Sequence, residues 1–111
     1  MQSEKSGYVV VFITTAIAEE AQRIANILVG GRKAACVNIV PVVDSHFLWE
    51  GQLETGQEAL LIIKTRASLV EEVTNLVKTV HSYDVPEVIA LPIIGGNPEY
   101  LAWIDTETDA R

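Results

Sequence analysis

Residues 35 to 49 make a strand-like run that is too long for the chain carrying it. Cys36-Val37-Asn38-Ile39-Val40, Pro41-Val42-Val43 and Ser45-His46-Phe47-Leu48-Trp49 are rich in β-branched and aromatic residues, which favour a pleated backbone. Glu50-Gly51 reads as a turn, and Gln52 to Lys64 returns as a second strand. Extended at ~3.3 Å per residue, residues 35 to 49 span about 50 Å. A globule of 111 residues has a radius of gyration near ~13 Å, hence a diameter of roughly 35 Å. The hairpin is therefore expected to project past its own domain with open edges and apolar side chains, and such edges need a partner. A sharp bend at Pro41 is the one escape from that conclusion.

The remaining elements fall on either side of this hairpin. Tyr8 to Thr15 has no polar alternation and reads as a central strand. Glu19 and Glu20 mark a first helical turn; Ile17, Ala21, Ile24, Ala25 and Leu28 follow at helical spacing, and Gly30-Gly31 stops the helix. Within the returning strand, Glu54-Thr55-Gly56-Gln57 reads as a bulge or second turn, and Ala59 to Ile63 as a buried strand. Ser68-Leu69-Val70-Glu71 matches a capping box, with Leu69, Val73, Leu76, Val77 and Val80 as the apolar stripe behind it. Val88 to Ile94 reads as a buried strand, and Asn97-Pro98-Glu99 opens a short last helix. The order is βαββαβ plus a short helix. Two interleaved right-handed βαβ units give an α+β, ferredoxin-like sandwich with helices on one face; a small parallel α/β sheet is the weaker alternative, because the central pair reads as a hairpin. Residues 1–111 are read as one domain, with residues 1–7 expected to be flexible. The uncovered sheet face and the long hairpin together predict a homo-oligomer.

Composition narrows the partners. Eight basic against fifteen acidic residues, a net charge of −7, leave no basic stripe to neutralise phosphates, so no nucleic-acid partner is expected. The apolar run from Tyr8 to Ile13 is too short for a signal-peptide core or a membrane span. The single cysteine, Cys36, has no partner for an internal disulfide, and a reducing, cytoplasmic location is expected.

The candidate chemistry is sparse. Cys36 suits a soft ion such as copper, with a histidine to complete the site; its plainer role is a small hydrophobe in a buried strand. His46 and His81 are far apart in sequence and neither has a second histidine at helical spacing, so no zinc-enzyme site is signalled. His81-Ser82-Tyr83-Asp84-Val85-Pro86-Glu87 concentrates an imidazole, a phenol and two carboxylates at a strand entrance, where binding groups gather. Its plainer reading is a loop whose histidine favours a helix C-terminus. Lys64 closes an otherwise apolar strand, and either reaches water or meets an anion. Trp49 at the turn is an interface anchor or a flat wall for a ligand. Ser45 has no adjacent base and no glycine-rich phosphate loop follows the first strand, so the expected function is non-catalytic.

Three blocks together resemble the CutA divalent-cation-tolerance family over nearly the whole chain. They are Ala34-Ala35-Cys36-Val37-Asn38-Ile39 with Ser45-x-Phe47-x-Trp49-x-Gly51; Glu58 through Lys64-Thr65; and His81 to Glu87 with Leu91-Pro92-Ile93 and Tyr100-Leu101-x-Trp103. The resemblance implies a tight homotrimer built by pairing strands between subunits, similar in architecture to PII-type proteins, and tolerance to divalent metals, copper especially. By position it makes Cys36 the family's recurring cysteine and His81 the histidine of its His-Pro-Tyr motif. It places Trp49, Lys64, Tyr83 and Glu87 around a cleft between subunits. Ser82, Phe47 and Asp84 depart from the usual Pro, Tyr and Glu. The expected function is thus a trimeric divalent-cation tolerance protein that binds such ions weakly. It requires no cofactor, with Cu²⁺ or another divalent cation as the candidate ligand at Cys36 and His81. The alternative is a PII-like sensor that binds a small anionic metabolite in the intersubunit cleft.

Overall fold

The computed structural model describes residues 7–109, so the flexibility expected of residues 1–7 falls, apart from Gly7, outside the described residues. Seven main elements follow the expected order: β1 (Tyr8–Thr15), α1 (Ala18–Gly30), β2 (Cys36–Trp49), β3 (Gln52–Arg66), α2 (Val70–Val80), β4 (Val88–Pro92) and α3 (Pro98–Glu107), with a 3-10 turn at Ala67–Leu69 leading into α2. The four strands form one sheet in the order β2-β3-β1-β4, and each neighbouring pair is antiparallel. This is the ferredoxin-like arrangement: β3 lies between the two strands of the first βαβ unit, and β1 between those of the second.

The helices α1 and α2 cover one face only, and the burial along β3 shows it. Ala59, Leu61 and Ile63 are fully buried, while Leu60, Ile62 and Lys64 between them are half-buried. The period of two in side-chain direction assigns the first set to the helices and the second to the opposite face. Val9, Val11 and Ile13 of β1 meet Ala21, Ile24 and Leu28 of α1 and Val73 and Val77 of α2 in that core. Each large side chain there contributes roughly 1.5–3 kcal/mol by leaving water. On the other face, β1 presents Val10 and Phe12, β3 presents Leu60 and Ile62, and β4 presents Ile89 and Leu91. The continuous apolar pattern of Val88 to Ile94 suggested a fully buried strand. Instead β4 is an edge strand, with Ile89, Leu91 and Ile94 at 51%, 46% and 82% exposure.

The hairpin projects as its length requires. β1 ends opposite Ala59, so β2 and β3 continue as a two-stranded ribbon to Trp49 and Gln52. The molecule measures 43 × 29 × 22 Å. Glu50 and Gly51 close the ribbon with φ of 51° and 80°, the two left-handed residues of a tight turn matched to strand twist. Pro41 does not fold the run back. It marks a bulge: Val40 pairs with Leu60 but Val43 with Glu58, so Pro41 and Val42 together oppose Ala59. A residue with no N–H fits an edge strand at such an irregularity. The bulge or second turn expected at Glu54–Gln57 is absent; those residues pair regularly with Asp44 to Phe47.

Two local expectations change. Ser68 does not cap α2: the chain leaves β3 in a 3-10 turn that starts one residue earlier, at Ala67, and α2 begins after Leu69 without a side-chain cap. Ile17 stands outside the apolar stripe as the extended residue before α1, 57% exposed. At α3, Asn97 Oδ1 accepts the Glu99 amide hydrogen at 3.0 Å and Pro98 takes the first helical position, as expected. The C-terminal end of α3 has no basic residue of its own. Arg32 and Arg66 supply the charge, donating to the carbonyls of Glu107 and Thr108 at 3.1 and 2.7 Å. No helix among the described residues is long and apolar enough to cross a membrane.

Candidate functional site

The loop between α2 and β4 is ordered by a carboxylate that the sequence reading took for a helix-start charge. Glu20 on α1 is 3% exposed. Its two oxygens accept from the Ser82 amide at 2.7 Å and the Ser82 hydroxyl at 2.9 Å, and Nδ1 of His81 lies 3.6 Å away. Burial pulls the Glu20 carboxyl upward, but the two bonds from Ser82, with His81 and Arg23 behind them, outweigh it and hold the group below its ordinary value.

His81 ends α2 with its side chain fully buried. Nε2 is 2.8 Å from the Thr14 carbonyl of β1, and Nδ1 accepts the Tyr83 amide hydrogen at 3.0 Å. The Tyr83 ring lies beside the imidazole, centroids 4.8 Å apart. Its hydroxyl donates to Glu58 Oε2 at 2.8 Å, and Ser45 donates to Glu58 Oε1 at 2.6 Å. Burial, then the bond to Glu58, push the Tyr83 phenol up to about 12, so it remains a donor at any physiological pH. Glu87 lies on the same loop, exposed. Among the described residues every buried side-chain nitrogen and oxygen has a partner.

A second cluster occupies the open sheet face. Cys36 and Lys64 are directly cross-strand. The Lys64 ammonium donates to Asn38 Oδ1, Cys36 Sγ lies 3.8 Å from the same oxygen, and Tyr100 reaches the thiol from α3. Burial, then the proximity of Cys36, raise the Tyr100 phenol. Tyr100 also packs on Trp103 at 5.4 Å.

The residues singled out from the sequence thus fall in three places. His81, Tyr83 and Glu87 share the loop; Cys36 and Lys64 share the open face; Trp49 stands at the hairpin tip, 59% exposed. Cys36 and His81 are not neighbours. His81 bonds Thr14, four residues along β1 from Val10, which shares a row with Lys64 and Cys36. Strand geometry then separates them by on the order of 15 Å. Trp49 lies at the opposite end of β2 from Cys36, roughly 40 Å away along the strand. One chain therefore does not assemble the proposed cleft. Among the described residues no three His, Cys, Asp or Glu side chains gather as a ligand set. Glu20, Glu58 and Ser45 were missed because their partners lie 62, 25 and 13 residues away, and no local pattern announces such contacts.

Proteins of the same architecture include several named CutA. Residues 9–107 match the model of the CutA1 divalent ion tolerance protein family. The "Protein CutA 1, chloroplastic" of Oryza sativa is 51% identical over 100 residues, 90% of this chain and 56% of that protein; the chain spans little more than half the length of this relative. The "Divalent-cation tolerance protein CutA" of Thermus thermophilus is 46% identical over 99 residues, covering 89% of this chain and 96% of that protein. Among solved structures, that of the "Periplasmic divalent cation tolerance protein CutA" from Archaeoglobus fulgidus superposes with a TM-score of 0.89 at 42% identity. It covers 92% of this chain and 99% of that one. With nearly its whole length matched in sequence and in fold, the chain belongs to the CutA1 divalent ion tolerance protein family.

Proposed function

We propose that this protein is a non-catalytic divalent-cation tolerance protein that works as a homotrimer and holds divalent cations weakly, copper among them, where subunits meet. The observation that carries the reading is the one-sided cover of the sheet. Val10, Phe12, Leu60, Ile62, Ile89 and Leu91 form an apolar face that α1 and α2 leave uncovered, with α3 reaching it at the end marked by Tyr8, Cys36 and Arg66. The ribbon beyond Thr15 carries Phe47, Leu48, Trp49 and Leu53 at 45–74% exposure. An apolar face of this extent marks an interaction surface, and the arm is complementary to it in a second copy. Closed rotational symmetry lets each subunit give an arm and receive one.

Cys36 lies on that face, so further ligands for a soft cation come from a neighbouring subunit. His81 joins a metal only by giving up a bond to Thr14 or Tyr83, which suits weak binding. The anionic-metabolite reading is not favoured: among the described residues the β3 cations of the open face already have partners, Lys64 on Asn38 and Arg66 on Thr108. The cytoplasmic location is proposed from the single cysteine; relatives carry "chloroplastic" and "periplasmic" in their names.

Sedimentation and calorimetric titration with Cu²⁺, Zn²⁺ and Mg²⁺ test this together. The expected result is three times the 12.1 kDa chain mass and saturable copper uptake at a fixed ratio per chain. That uptake is lost in Cys36→Ala and weakened in His81→Ala. A monomer, or uptake that is merely salt-sensitive and indifferent to Cys36, refutes the assignment and leaves the fifteen carboxylates as a diffuse cation atmosphere.

A further inference from the structure

The end of the sheet away from the hairpin holds a cavity of about 210 Å³, where the turn after α1, the start of α2 and the end of α3 meet. Three of the chain's eight basic side chains line it, Arg32, Lys33 and Arg66, and among the described residues they face one carboxylate there, Glu72. In a protein of net charge −7 this is a local reversal of sign, and a concave wall concentrates the field it makes. The volume equals that of about seven waters at ~30 Å³ each. It falls below the ~300–1,000 Å³ of drug-sized sites, so the group held there is small.

The backbone of the turn is fixed, whereas two of the three cations have room to regroup. The Lys33 amide donates to the Leu28 carbonyl at 2.8 Å, and the Lys33 carbonyl accepts from the buried Thr65 hydroxyl at 2.7 Å. Arg32 has a φ of 60°, the left-handed position after a helix that glycine usually fills. Gly30 and Gly31 stand just before it, yet an arginine occupies the strained place. Arg66 is the fixed cation: its bonds to the Thr108 hydroxyl and carbonyl, 2.9 and 2.7 Å, hold it to the wall, where it lends charge. Arg32 and Lys33 keep donors in reserve. The bond to the Glu107 carbonyl uses one of five N–H groups, and the bond to Glu72 one of three. Their ion pairs, 3.7 Å to Glu107 and 2.7 Å to Glu72, join side chains that are 35–55% exposed, and such pairs contribute little. A group with two negative charges and three acceptor oxygens replaces Glu72 on Lys33 and engages Arg32 at the same time.

We propose that this cavity binds a phosphate dianion, free or as the head of a small phosphomonoester. Arg32 meets it with a planar fork of donors, Lys33 with a point charge drawn away from Glu72, and Arg66 with its field from the wall. An ester group has space on the far side of Arg32, which also lines an adjoining cavity of about 320 Å³ walled by Val29, Ala34, Ala35 and Trp103. The site is built within one chain. Cys36 and His81 take no part in it, nor do Trp49 and Lys64 of the cleft between subunits.

The test titrates inorganic phosphate and phenyl phosphate separately into the full chain, with chloride holding the ionic strength constant. Calorimetry and backbone amide shifts are read together. The expected result is saturable uptake of one ion per chain, with shifts centred on residues 31–33 and 66–72. Arg32→Gly suits the left-handed backbone and should keep a near-native melting temperature while weakening uptake about tenfold, the loss of one charge-assisted bond. Glu72→Gln removes the competitor for Lys33 and should tighten uptake about threefold, a gain that a purely structural ion pair does not predict. Phenyl phosphate held at least as tightly as phosphate assigns the ester, and its refusal beside phosphate uptake assigns the free ion. No uptake of either probe, uptake indifferent to Arg32→Gly, uptake that Glu72→Gln fails to strengthen, or the same shifts from chloride alone each overturns the site.

Discussion

Replacing Glu20 by Gln tests whether the buried carboxylate holds the loop or merely tolerates burial. The wild-type group accepts two hydrogen bonds, 2.7 and 2.9 Å, both from Ser82. Bonds to a charged partner contribute about 1.5–3 kcal/mol each. Gln keeps one carbonyl oxygen for one of these donors, uncharged, and turns an NH₂ toward the other. Against this, the mutant no longer buries a charge, which returns part of the loss. The balance is a destabilisation of about 2 kcal/mol, or about 8 °C in melting temperature for a chain of this length. Denaturant melts of both proteins measure it as a lower midpoint with an unchanged slope. The pH dependence carries a second, independent sign. The Glu20 carboxyl is held low in the fold, since the Ser82 bonds outweigh the upward pull of burial. Its contribution is therefore complete above its ordinary value of 4.5 and fades as the pH falls through the lowered folded value. Gln does not titrate, so the gap between the two proteins closes in acid. A mutant as stable as the wild type at neutral pH refutes the reasoning, because the desolvation cost would then equal everything Ser82 returns. A gap that widens in acid contradicts the direction of the shift.

Two further outcomes follow from the packing. Ile63, fully buried in the core near the C-terminal end of β3 and paired with Val11 of β1, should lose about 3–4 kcal/mol on change to Ala, read as a fall in the denaturant midpoint; a loss below about 1 kcal/mol would mean the core collapses onto the space. Arg66→Met removes the bonds to the Thr108 hydroxyl and carbonyl and should cost about 1–2 kcal/mol. Amides of residues 98–107 should then exchange by local opening of α3, and unchanged exchange there would show that Ile104 alone holds the helix.

The order of elements was legible because each carries its own period. Tyr8–Thr15 and Ala59–Ile63 are continuous apolar runs, α1 and α2 repeat at helical spacing, and Glu50-Gly51 is the turn that a right-twisted ribbon needs. What misled was the inference from apolar runs to full burial. Val88–Ile94 has the composition of a strand covered on both sides, yet β4 lies at the edge with a bare face. Composition records every surface that must leave water, and does not say whether the cover comes from the same chain. The capping box failed for a different reason. Whether Ser68 caps depends on where the chain turns out of β3, and that is set by the Ala67 amide bonding the Gly7 carbonyl at 2.7 Å, a contact with the far end of the sequence.

The candidate site was legible as a list of residues and hidden as an arrangement, and the bulge at Pro41 shows why. Up to Val40, the even-numbered residues of β2 share a face with Leu60, Ile62 and Lys64. Past the bulge the odd-numbered ones do, since Val43 opposes Glu58 and Ser45 opposes Gly56. A shift of one residue sends every later side chain to the other face. Without it Ser45 would turn away from Glu58, and Leu48 rather than Trp49 would continue the face that holds Cys36 and Lys64. Simple alternation along residues 36 to 49 therefore assigns the two ends of β2 to opposite sides, whereas the folded strand puts Cys36 and Trp49 on one. Tyr83 then reaches Glu58 from a loop 25 residues downstream. The polar run at the base of the arm depends on two things that strand periodicity does not encode: a proline that resets the register, and a buried carboxylate on α1 that holds the loop in place.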